Sequence, residues 1–351
     1  KTFFFCWILD SNICLFGFIL PCHSILQSTG TSQSNVSFTT VCPNFCKPSD
    51  TASKTDTLFK EPCLRCNPNF IVNTYVMTKY SVVTTFNQNG YNVYANKFIK
   101  SFNDKVDKRI PLVVYAEDCQ PVGDDRTLIF DAKQTLVKLN NFKSKWANVP
   151  KANGKCPPEI KARRPRDWHK EFKWDAIRFA NKVYAIFHEA KRTDADILIW
   201  MDADSIVHST VTQEDFERLL PTSFTLHYLG RGKKWPECGF YGLNLKTAEC
   251  QNFLQQFERM YEDADKGIFT LEEWHDSFVF DVVLKRHRQS FPQSPIKDFS
   301  GHLISGEGHP LINCELGAFF DHLKGDSRKQ KGSSLPKDLK VKRVETYWKQ
   351  I

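Results

Sequence analysis

The chain has 351 residues, of which 41% are hydrophobic, and its 29 Phe and 8 Trp are enough for a sizeable core in one large α/β domain or two small ones. Its net charge of +8 suits a protein that handles anionic phosphates, and because no recognised nucleic-acid-binding motif accompanies that charge, we expect no nucleic-acid partner. Seven of the 12 cysteines precede residue 77 and the other five are scattered, which favours a reducing compartment and a cytoplasmic protein.

The first 76 residues differ in composition from the rest. They contain no Met and are rich in Ser, Thr and Cys, and Met77 stands directly before the first regular strand pattern. We therefore interpret residues 1–76 as a poorly structured leader that need not belong to the natural protein, with Met77 as the natural start.

Two alternatives for this region remain open. Residues 3–26 suggest a membrane anchor followed by a Ser/Thr-rich stem, as in type II Golgi membrane proteins, although Asp10 interrupts the apolar run and a central charge costs about 2.5–3.5 kcal/mol. Only this interpretation predicts contact with a membrane, and only in a secreted segment would the glycosylation sequon at Asn35 have meaning. The second alternative is a four-thiolate zinc site formed by Cys42, Cys46, Cys63 and Cys66.

From Met77 the hydrophobic periodicity predicts alternating strands and helices. In chain order we predict a strand over 80–86, a helix with apolar positions from Tyr91 to Phe102, strands over 111–116 and 128–130, a surface loop over 145–167, a helix over 174–190, strands over 197–201, 224–228 and 239–245, and helices over 248–262 and 271–284. This order implies an α/β fold with a mainly parallel central sheet and helices on both faces. The domain is expected to span residues 77–330, followed by a solvated basic tail over 331–351.

The strongest functional signal is an Asp-x-Asp pair, Asp202 and Asp204, directly after the apolar run 197–201. A second pair, Asp194 and Asp196, precedes the same run. Because ligands of open α/β sheets bind beyond the carboxyl ends of the strands, strand polarity selects the first pair. Two carboxylates one residue apart can share a divalent cation, and a hard cation with oxygen ligands suits a diphosphate.

Further groups of residues are placed where a nucleotide-sugar site needs them. At the end of the first strand, Thr84 and Thr85 offer hydroxyl groups for a base and ribose, with Tyr91 for stacking; an ordinary strand exit is the alternative. Arg178 and Lys182 are four residues apart on one helix face and are candidates for contact with phosphate or the donor sugar, unless they form a solvated basic stripe.

A third group lies around a glycine-containing strand and the helix that follows it. Gly239 comes soon after Glu237, and a glycine inside a strand indicates close approach of a ligand or another backbone. Trp274 is a candidate for stacking on a sugar face, His275 for contact with the acceptor, and Asp276, with Glu237, for holding or deprotonating an acceptor hydroxyl. An acid at a helix N-terminus is also favoured by the helix dipole alone.

The last group begins at His322. Its imidazole is a candidate metal ligand, Gly325 permits close approach, and Lys324 and Arg328 supply cations for a diphosphate. A lone His is more often structural, and this one is of interest because of the residues that surround it in the sequence.

Residues 77–330 resemble glycosyltransferases of the GT-A fold, and their layout is most similar to the glycogenin-like retaining family. That family combines a first strand ending in Thr-Thr/Asn and a nearby Tyr with an Asp-x-Asp after a buried strand and a late His-x-x-Gly-x-x-Lys element. The matching residues are Thr84-Thr85 with Tyr91, Asp202-Ala203-Asp204, and His322-x-x-Gly325-x-x-Arg328. Two departures are Phe86, which comes before Asn87, and Arg328-Lys329, which stand where the family has Lys-Pro-Trp.

The resemblance implies a catalytic chemistry and a set of partners. Asp202, Asp204 and His322 would bind Mn²⁺ or Mg²⁺, and this ion would bridge the diphosphate of a nucleoside-diphosphate sugar, with a UDP-sugar favoured. The late basic residues would neutralise the leaving group, and the acceptor would be a glycan or another hydroxyl compound. A retaining outcome follows from the resemblance alone, whereas an inverting enzyme needs a base, for which Asp276 is the candidate. The chain is also similar to uncharacterised glycosyltransferase-like proteins of marine phages and large viruses, which would place it in host cytoplasm.

Two other classes of function fit parts of the pattern. A haloacid-dehalogenase-type phosphatase would use Asp202 as the nucleophile, with Asp276 and Asp281 as its late acidic motif. In that class, however, the nucleophile strand usually comes first in the domain, and His322 would have no role. A non-catalytic binding protein that keeps the nucleotide-sugar fold is the other alternative.

Overall fold

The computed structural model describes residues 77–351 except Pro165, Asp167 and 304–307, together with four short strands near the N-terminus. The chain divides into two compact units, Lys1–Asn73 and Thr74–Ile351. In the first unit, Phe5–Leu9 pairs antiparallel with Ile13–Gly17, and Leu26–Gln27 pairs antiparallel with Thr39–Thr40. The four cysteines of the zinc hypothesis and Asn35 lie outside the described residues, so the leader, anchor and zinc interpretations stay predictions. Within the described residues, no helix has both the length and the apolar character needed to cross a membrane.

A seven-stranded sheet forms the centre of the second unit, in the spatial order β8-β6-β7-β4-β1-β2-β3 once its strands are numbered along the chain. The strands of this unit are β1 (Tyr80–Phe86), β2 (Leu112–Ala116), β3 (Thr127–Asp131), β4 (Ile197–Met201), β5 (Ser205–Val207), β6 (Leu226–Arg231), β7 (Lys234–Asn244), β8 (Ile296–Asp298) and β9 (Phe320–His322). Strands β3, β2, β1 and β4 are mutually parallel, β8 is parallel to β6, and β7 runs antiparallel to both of its neighbours. Strands β5 and β9 form a separate antiparallel pair.

Helices connect and cover these strands. The longer ones are α1 (Asn96–Lys105), α2 (Val137–Trp146), α3 (Ala176–Arg192), α4 (Gln213–Leu219), α5 (Ala248–Glu262), α6 (Asp276–Ser290) and α7 (Asp326–Lys331). Further short α-helical segments are Gln88–Gly90, Ala132–Thr135, Pro158–Arg163 and Pro310–Asn313, and a π-helix spans Tyr91–Ala95. Short 3₁₀ segments are Pro150–Ala152, Glu171–Trp174, Ile268–Thr270, Glu315–Ala318, Pro336–Asp338 and Trp348–Gln350.

The sheet is buried on both faces, and β4 illustrates this arrangement. Leu198 and Trp200 pack in one core cluster with side chains of α2, α3, α5 and α6. Ile197, Ile199 and Met201 pack in a second cluster with side chains of α1 and α4. A strand that is covered on both faces must be apolar at every position, which explains its uninterrupted hydrophobic run. The predicted α/β fold, with a mainly parallel sheet and helices on both faces, is therefore confirmed.

The structure differs from the predicted elements mainly at their boundaries. The helix expected over 271–284 starts later, at Asp276, because the side chain of His275 accepts a hydrogen bond from the backbone N–H of Phe278 and caps the helix there. Strand β7 begins five residues before the predicted position 239. The surface loop expected over 145–167 contains two short helical segments, Pro150–Ala152 and Pro158–Arg163.

The C-terminal segment 331–351 packs against the domain, in contrast to the expected solvated tail. Trp348 is 5% exposed, and its indole N–H donates a hydrogen bond to the carbonyl of Gly317 at 2.7 Å. The hydroxyl group of Tyr347 donates to the buried carboxylate of Asp321 at 2.7 Å. Aromatic side chains supply the apolar contact that the basic composition of this segment conceals.

Candidate functional site

Asp202 and Asp204 lie in the turn between β4 and β5, at the carboxyl end of β4. The turn is fixed by two backbone hydrogen bonds: the N–H of Asp202 donates to the carbonyl of Gly239 at 2.8 Å, and the N–H of Ser205 donates to the carbonyl of Asp202 at 3.1 Å. The other acid pair lies at the opposite end of β4, where the exposed side chain of Asp194 forms an ion pair with Lys79. Strand polarity therefore separates the two pairs in space, as the sequence argument expected.

His322 reaches the acid pair because β9 pairs antiparallel with β5. Their register sets His322 opposite Ser205, one residue after Asp204. Its Nε2 atom lies 3.1 Å from Oδ1 of Asp204 and 3.7 Å from Oδ2 of Asp202. Candidate ligand atoms of these three residues all lie within 4.8 Å of one another. The three side chains named as metal ligands from the sequence are thus brought together, although His322 follows Asp204 by 118 residues.

Gly239 makes room for the ring of His322. A Cβ atom at position 239 would lie 2.7 Å from Nδ1 of His322 and closer still to Cε1, so any larger residue would displace the imidazole. The close approach expected at this glycine is therefore to a protein side chain. Gly239 was predicted to bind an acceptor, and the structure gives it a role in positioning His322 instead.

Opposing charges surround the two acids. Burial alone would raise the pKa of Asp204, but the nearby cations His322 and Lys329 outweigh it and hold that pKa well below its ordinary value. Burial alone would lower the pKa of His322, but Asp204 and then Asp202 raise it above its ordinary value. Two carboxylates and one imidazole are a donor set for a divalent metal ion, and the ammonium group of Lys329, 2.9 Å from Oδ2 of Asp204, shows that a cation fits at this position.

Lys182 links Asp202 to Asp276. Its ammonium nitrogen lies 3.0 Å from Oδ1 of Asp202 and 2.7 Å from Oδ2 of Asp276, and it also contacts the carbonyl of Cys238. Burial works against the charge of Lys182, but the two carboxylates outweigh it and raise its pKa above the ordinary value. Lys182 was predicted to bind the donor, but here it fixes the orientation of the Asp202 carboxylate. The indole N–H of Trp200 donates to the same Oδ1 atom at 2.7 Å.

Glu237 is buried next to the same group and is held by two cations. Both Lys324 and Arg231 contact its Oε2 atom, Arg231 at 3.3 Å. Burial would raise the pKa of Glu237, but Lys324, His309 and Arg231 outweigh it and hold the pKa well below its ordinary value. Lys324 itself remains half exposed. Glu237, predicted as a catalytic residue, is therefore an ion-paired carboxylate 4% exposed beneath the site.

Of the basic residues that follow His322 in helix α7, Lys329 is the one that contacts the acid pair, through Asp204. Arg328, which was predicted to contact the donor, turns to Asp338 and donates to it from Nε at 2.8 Å. Gly325, at a φ of +88°, starts the short helix α7 and so directs Lys329 to Asp204 and over the ring of Tyr94, 4.6 Å from its centroid. The assignment shifts by one residue because the helix places neighbouring side chains about 100° apart.

Tyr94 is a site residue that the sequence argument missed. It lies in the π-helix Tyr91–Ala95, and burial together with Asp204 and Asp202 raises its pKa to about 12. The spacing of Tyr94 fitted the apolar face of a helix, so its pattern indicated core packing. The π-helical turn, which often marks functional sites, has no sequence signal that periodicity detects.

The residues expected around the donor base are only partly suited to that role. Thr84 is fully buried within the sheet and cannot contact a ligand, which corrects its assignment. Thr85 is partly exposed and donates to the carbonyl of Tyr115 at 2.6 Å. Tyr91 stacks on Phe86 and accepts a hydrogen bond from the N–H of Val122 at 3.2 Å. Arg178 is exposed and lowers the pKa of Tyr94, so its charge acts on the site.

The structure contradicts the acceptor-binding roles of Trp274 and His275. Trp274 is 1% exposed, and its indole N–H donates to the carbonyl of Leu271 at 3.2 Å, so it cannot stack on a sugar. His275 is 3% exposed and pairs with Glu273 at 3.0 Å. Aromatic residues at the start of a helix suggested a ligand platform, but here Trp274 belongs to the hydrophobic core and His275 pairs with a buried carboxylate.

Comparisons with known proteins found similar chains among solved structures only. Neither a family model nor a curated protein matches the chain. Among solved structures, mouse xyloside xylosyltransferase 1 in its apo form matches with 10% sequence identity and a TM-score of 0.36, covering 63% of this chain and 85% of that one. The glycosyltransferase GlyE of Streptococcus pneumoniae matches with 13% identity and a TM-score of 0.32, covering 63% of this chain and 45% of that one. TM-scores this low do not assign a function.

Proposed function

We propose that this protein is a glycosyltransferase that uses a divalent cation to transfer a sugar from a nucleoside-diphosphate sugar to a hydroxyl group of a glycan or another acceptor. The observation that carries the proposal is the convergence of Asp202, Asp204 and His322 beyond the carboxyl end of β4, where open α/β sheets bind their ligands. The sequence resemblance to glycogenin-like enzymes favours a UDP-sugar and Mn²⁺.

The residues of the site have separate tasks in this proposal. A divalent cation held by Asp202, Asp204 and His322 would supply Lewis-acid stabilisation of the charge on the leaving diphosphate. Lys329 brings an ammonium group to the same carboxylate and can transfer its contact to a phosphate oxygen. Lys182, which is almost completely buried, holds Asp202 in the orientation that metal binding requires.

Asp276 is the candidate for contact with the acceptor hydroxyl. It occupies the first turn of α6, and its carboxylate shares the ammonium group of Lys182 with Asp202. A single buried cation therefore connects the proposed acceptor side to the proposed metal side. If the reaction inverts the anomeric configuration, Asp276 is the base that accepts the hydroxyl proton.

The proposal is tested by ligand binding and by turnover with the full chain. UDP-, GDP- and ADP-sugars are screened with and without Mn²⁺ for thermal stabilisation and donor hydrolysis. We expect one class of nucleotide to stabilise the protein only with the metal, and Asp204→Ala to remove that effect. Asp194→Ala is the matched control, because it removes the exposed acid at the opposite end of the same strand.

The outcomes separate the competing functions. Hydrolysis of phosphomonoesters without any binding of nucleotides would replace the proposal with the phosphatase alternative. If no nucleotide or nucleotide sugar changes the melting temperature in the presence of Mn²⁺, the glycosyltransferase proposal is wrong and a non-catalytic role is left.

A further inference from the structure

His322 presents its second ring nitrogen to a different set of residues. While Nε2 contacts Asp204, the Nδ1 atom is buried and has no hydrogen-bond partner in the described part of the chain. The side chain as a whole is only 2% exposed. A buried polar atom without a partner costs about 1–3 kcal/mol, so a native protein rarely keeps one without a reason.

His309, whose ring contacts that of His322, also has buried ring nitrogens without hydrogen-bond partners in the described part of the chain. Among the described residues neither of its ring nitrogens has a hydrogen-bond partner, although both are shielded from solvent. The rings of His309 and His322 are nearly perpendicular, and their centroids are 4.7 Å apart. A T-shaped contact of this kind is ordinary aromatic packing, but it leaves Nδ1 of His322 and both ring nitrogens of His309 without hydrogen-bond partners among the described residues, and a metal ion bound between the two rings would satisfy one nitrogen of each.

Glu237 completes this group. A ligand atom from each of Glu237, His309 and His322 lies within 4.8 Å of the other two. Lys324 and Arg231 both contact Oε2 of Glu237, so the atom left for a metal is Oε1. Lys324 is half exposed and can move into solvent when another cation arrives. Two imidazoles and one carboxylate are a donor set that selects Zn²⁺ or Co²⁺ over Mg²⁺.

We propose that Glu237, His309 and His322 form a second metal site, which takes a nitrogen-preferring transition metal such as Zn²⁺. In this site Nδ1 of His322 is the ligand, and its Nε2–H donates to Asp204 at the observed 3.1 Å. Metal-binding histidines usually donate their other ring N–H to a carboxylate in this way. The contact between His322 and Asp204 is thus the hydrogen bond that would orient His322 as a metal ligand.

The backbone around His309 is fixed without a metal. The N–H of His309 donates to the carbonyl of Asp338 at 3.3 Å, and its carbonyl accepts from the side chain of Asn313 at 2.9 Å. The same Asn313 side chain donates to the carbonyl of Asp338 at 2.8 Å. His309 is therefore held at the start of a helical turn by the folded C-terminal segment, and a metal would find its ligand in place.

The second site excludes full occupancy of the first. A neutral imidazole has one lone pair, so His322 can serve either the carboxylates of Asp202 and Asp204 or the group of His309 and Glu237, but not both. Zn²⁺ bound at the second site would therefore remove one ligand from the first and weaken Mn²⁺ binding there. This consequence rests on the proposed function, whereas the existence of the second site does not.

Cobalt binding tests the second site independently of catalysis. In the full chain carrying Asp202→Asn, the oxygen-rich site is impaired while the contact between His322 and Asp204 is kept. We expect this variant to bind one more equivalent of Co²⁺ than the double variant with His309→Asn, and the extra equivalent to show visible d–d bands without the thiolate-to-cobalt charge-transfer absorption that a four-cysteine site would give. His302→Asn, which changes an exposed histidine, is the control and should bind like its parent.

Each result decides the question. Equal Co²⁺ binding with and without His309→Asn, or no binding in either variant, would overturn the second site. Circular dichroism establishes that each variant is folded, and the comparison of wild type with His309→Asn alone replaces the double variant should Asp202→Asn fail to fold. If the wild-type protein shows no Mn²⁺-dependent binding of nucleotides, the proposed function is contradicted, and the cobalt result is unaffected.

Discussion

The ammonium nitrogen of Lys329 lies 2.9 Å from Oδ2 of Asp204, so the folded protein places its own cation against a proposed metal ligand. Lys329 also lies over the ring of Tyr94 and is mostly shielded from solvent. In the proposed function, a metal ion that binds Asp204 would have to displace this ammonium group, which would then be free to contact a bound diphosphate. The contact would therefore reduce the metal affinity of the free protein and favour binding of metal and nucleotide together.

Substitution Lys329→Met separates these two effects. The affinity for Mn²⁺ alone should rise about fivefold, since a partly exposed ion pair contributes about 1 kcal/mol. The affinity for a nucleoside diphosphate at saturating Mn²⁺ should fall. Isothermal titration calorimetry measures both, and Lys331→Met in the same helix is the control because Lys331 is exposed. Unchanged affinity for both ligands in Lys329→Met would show that the ion pair has no part in binding.

Gly239→Ala is expected to weaken metal binding without unfolding the domain. The added methyl group would collide with the imidazole of His322 and force it away from Asp204. Without its third ligand the site should bind Mn²⁺ at least tenfold more weakly, by analogy with other lost metal contacts. Electron paramagnetic resonance of free Mn²⁺ measures the affinity.

Gly242→Ala is the matched control for that experiment. Gly242 lies in the same strand, and a methyl group there meets Cδ2 of Leu220 at 2.8 Å, in the core. It should lower the melting temperature but leave the Mn²⁺ affinity unchanged. A similar loss of Mn²⁺ affinity in both variants would mean that strand distortion, and not the position of His322, is the cause.

The acid pair was predictable from sequence because its signal is local. An apolar run that is buried on both faces and ends in Asp202 and Asp204 fixes both the strand and its carboxyl end. His322 was predictable only through a family pattern, since periodicity does not give the register of β9 on β5. The role of contacting the diphosphate was assigned to Arg328, one residue before Lys329. The orientation of side chains around α7 depends on the positive φ of Gly325, which the sequence pattern does not reveal.

The acceptor-binding roles predicted for Trp274 and His275 were wrong because both side chains are buried, and that burial depends on contacts with distant parts of the chain. Trp274 packs against Phe269 in the core, and His275 pairs with Glu273, a fully buried carboxylate whose other partners come from another part of the chain. Lys173 contacts it at 2.9 Å, and the side chain of Arg164 also donates to it. Long-range ion pairs of this kind decide which aromatic residues face the core, and a sequence window around Trp274 does not include them.

The Glu273 cluster predicts a dependence of stability on pH. Burial would raise the pKa of Glu273, but His275, Lys173 and Arg164 outweigh it and lower the pKa to about 2 from an ordinary 4.5. A lowered folded-state pKa stabilises the protein above the unfolded pKa, so this contribution of a few kcal/mol should be present at pH 5 and should be lost as the pH falls from 4.5 towards 2. Urea unfolding at a series of pH values measures this loss.

Glu273→Gln should remove that part of the pH dependence and lower the free energy of unfolding at pH 7 by about 3–5 kcal/mol, because the cations around Glu273 stay buried without its charge. The control is Glu171→Gln, whose exposed ion pair with Lys155 should contribute at most about 1 kcal/mol. Equal losses in the two variants would contradict the importance of burial at Glu273.

Tyr347→Phe tests whether the C-terminal segment supports the site. Asp321 is fully buried and accepts hydrogen bonds from Tyr347 and from the N–H and hydroxyl groups of Ser334. Removal of one donor to a buried carboxylate should lower the free energy of unfolding by about 1–3 kcal/mol. Because Asp321 directly precedes His322 in β9, we also expect weaker Mn²⁺ binding.

The control for Tyr347 is Tyr228→Phe. Tyr228 donates a hydrogen bond of similar length, 2.8 Å, to Asp298 between β6 and β8 at the far edge of the sheet. Both variants should be destabilised, but only Tyr347→Phe should lose affinity for Mn²⁺, because only its partner lies next to a proposed ligand. If Mn²⁺ affinity is unchanged in Tyr347→Phe, the segment 331–351 stabilises the domain without positioning His322, and the site is held by the pairing of β5 with β9 alone.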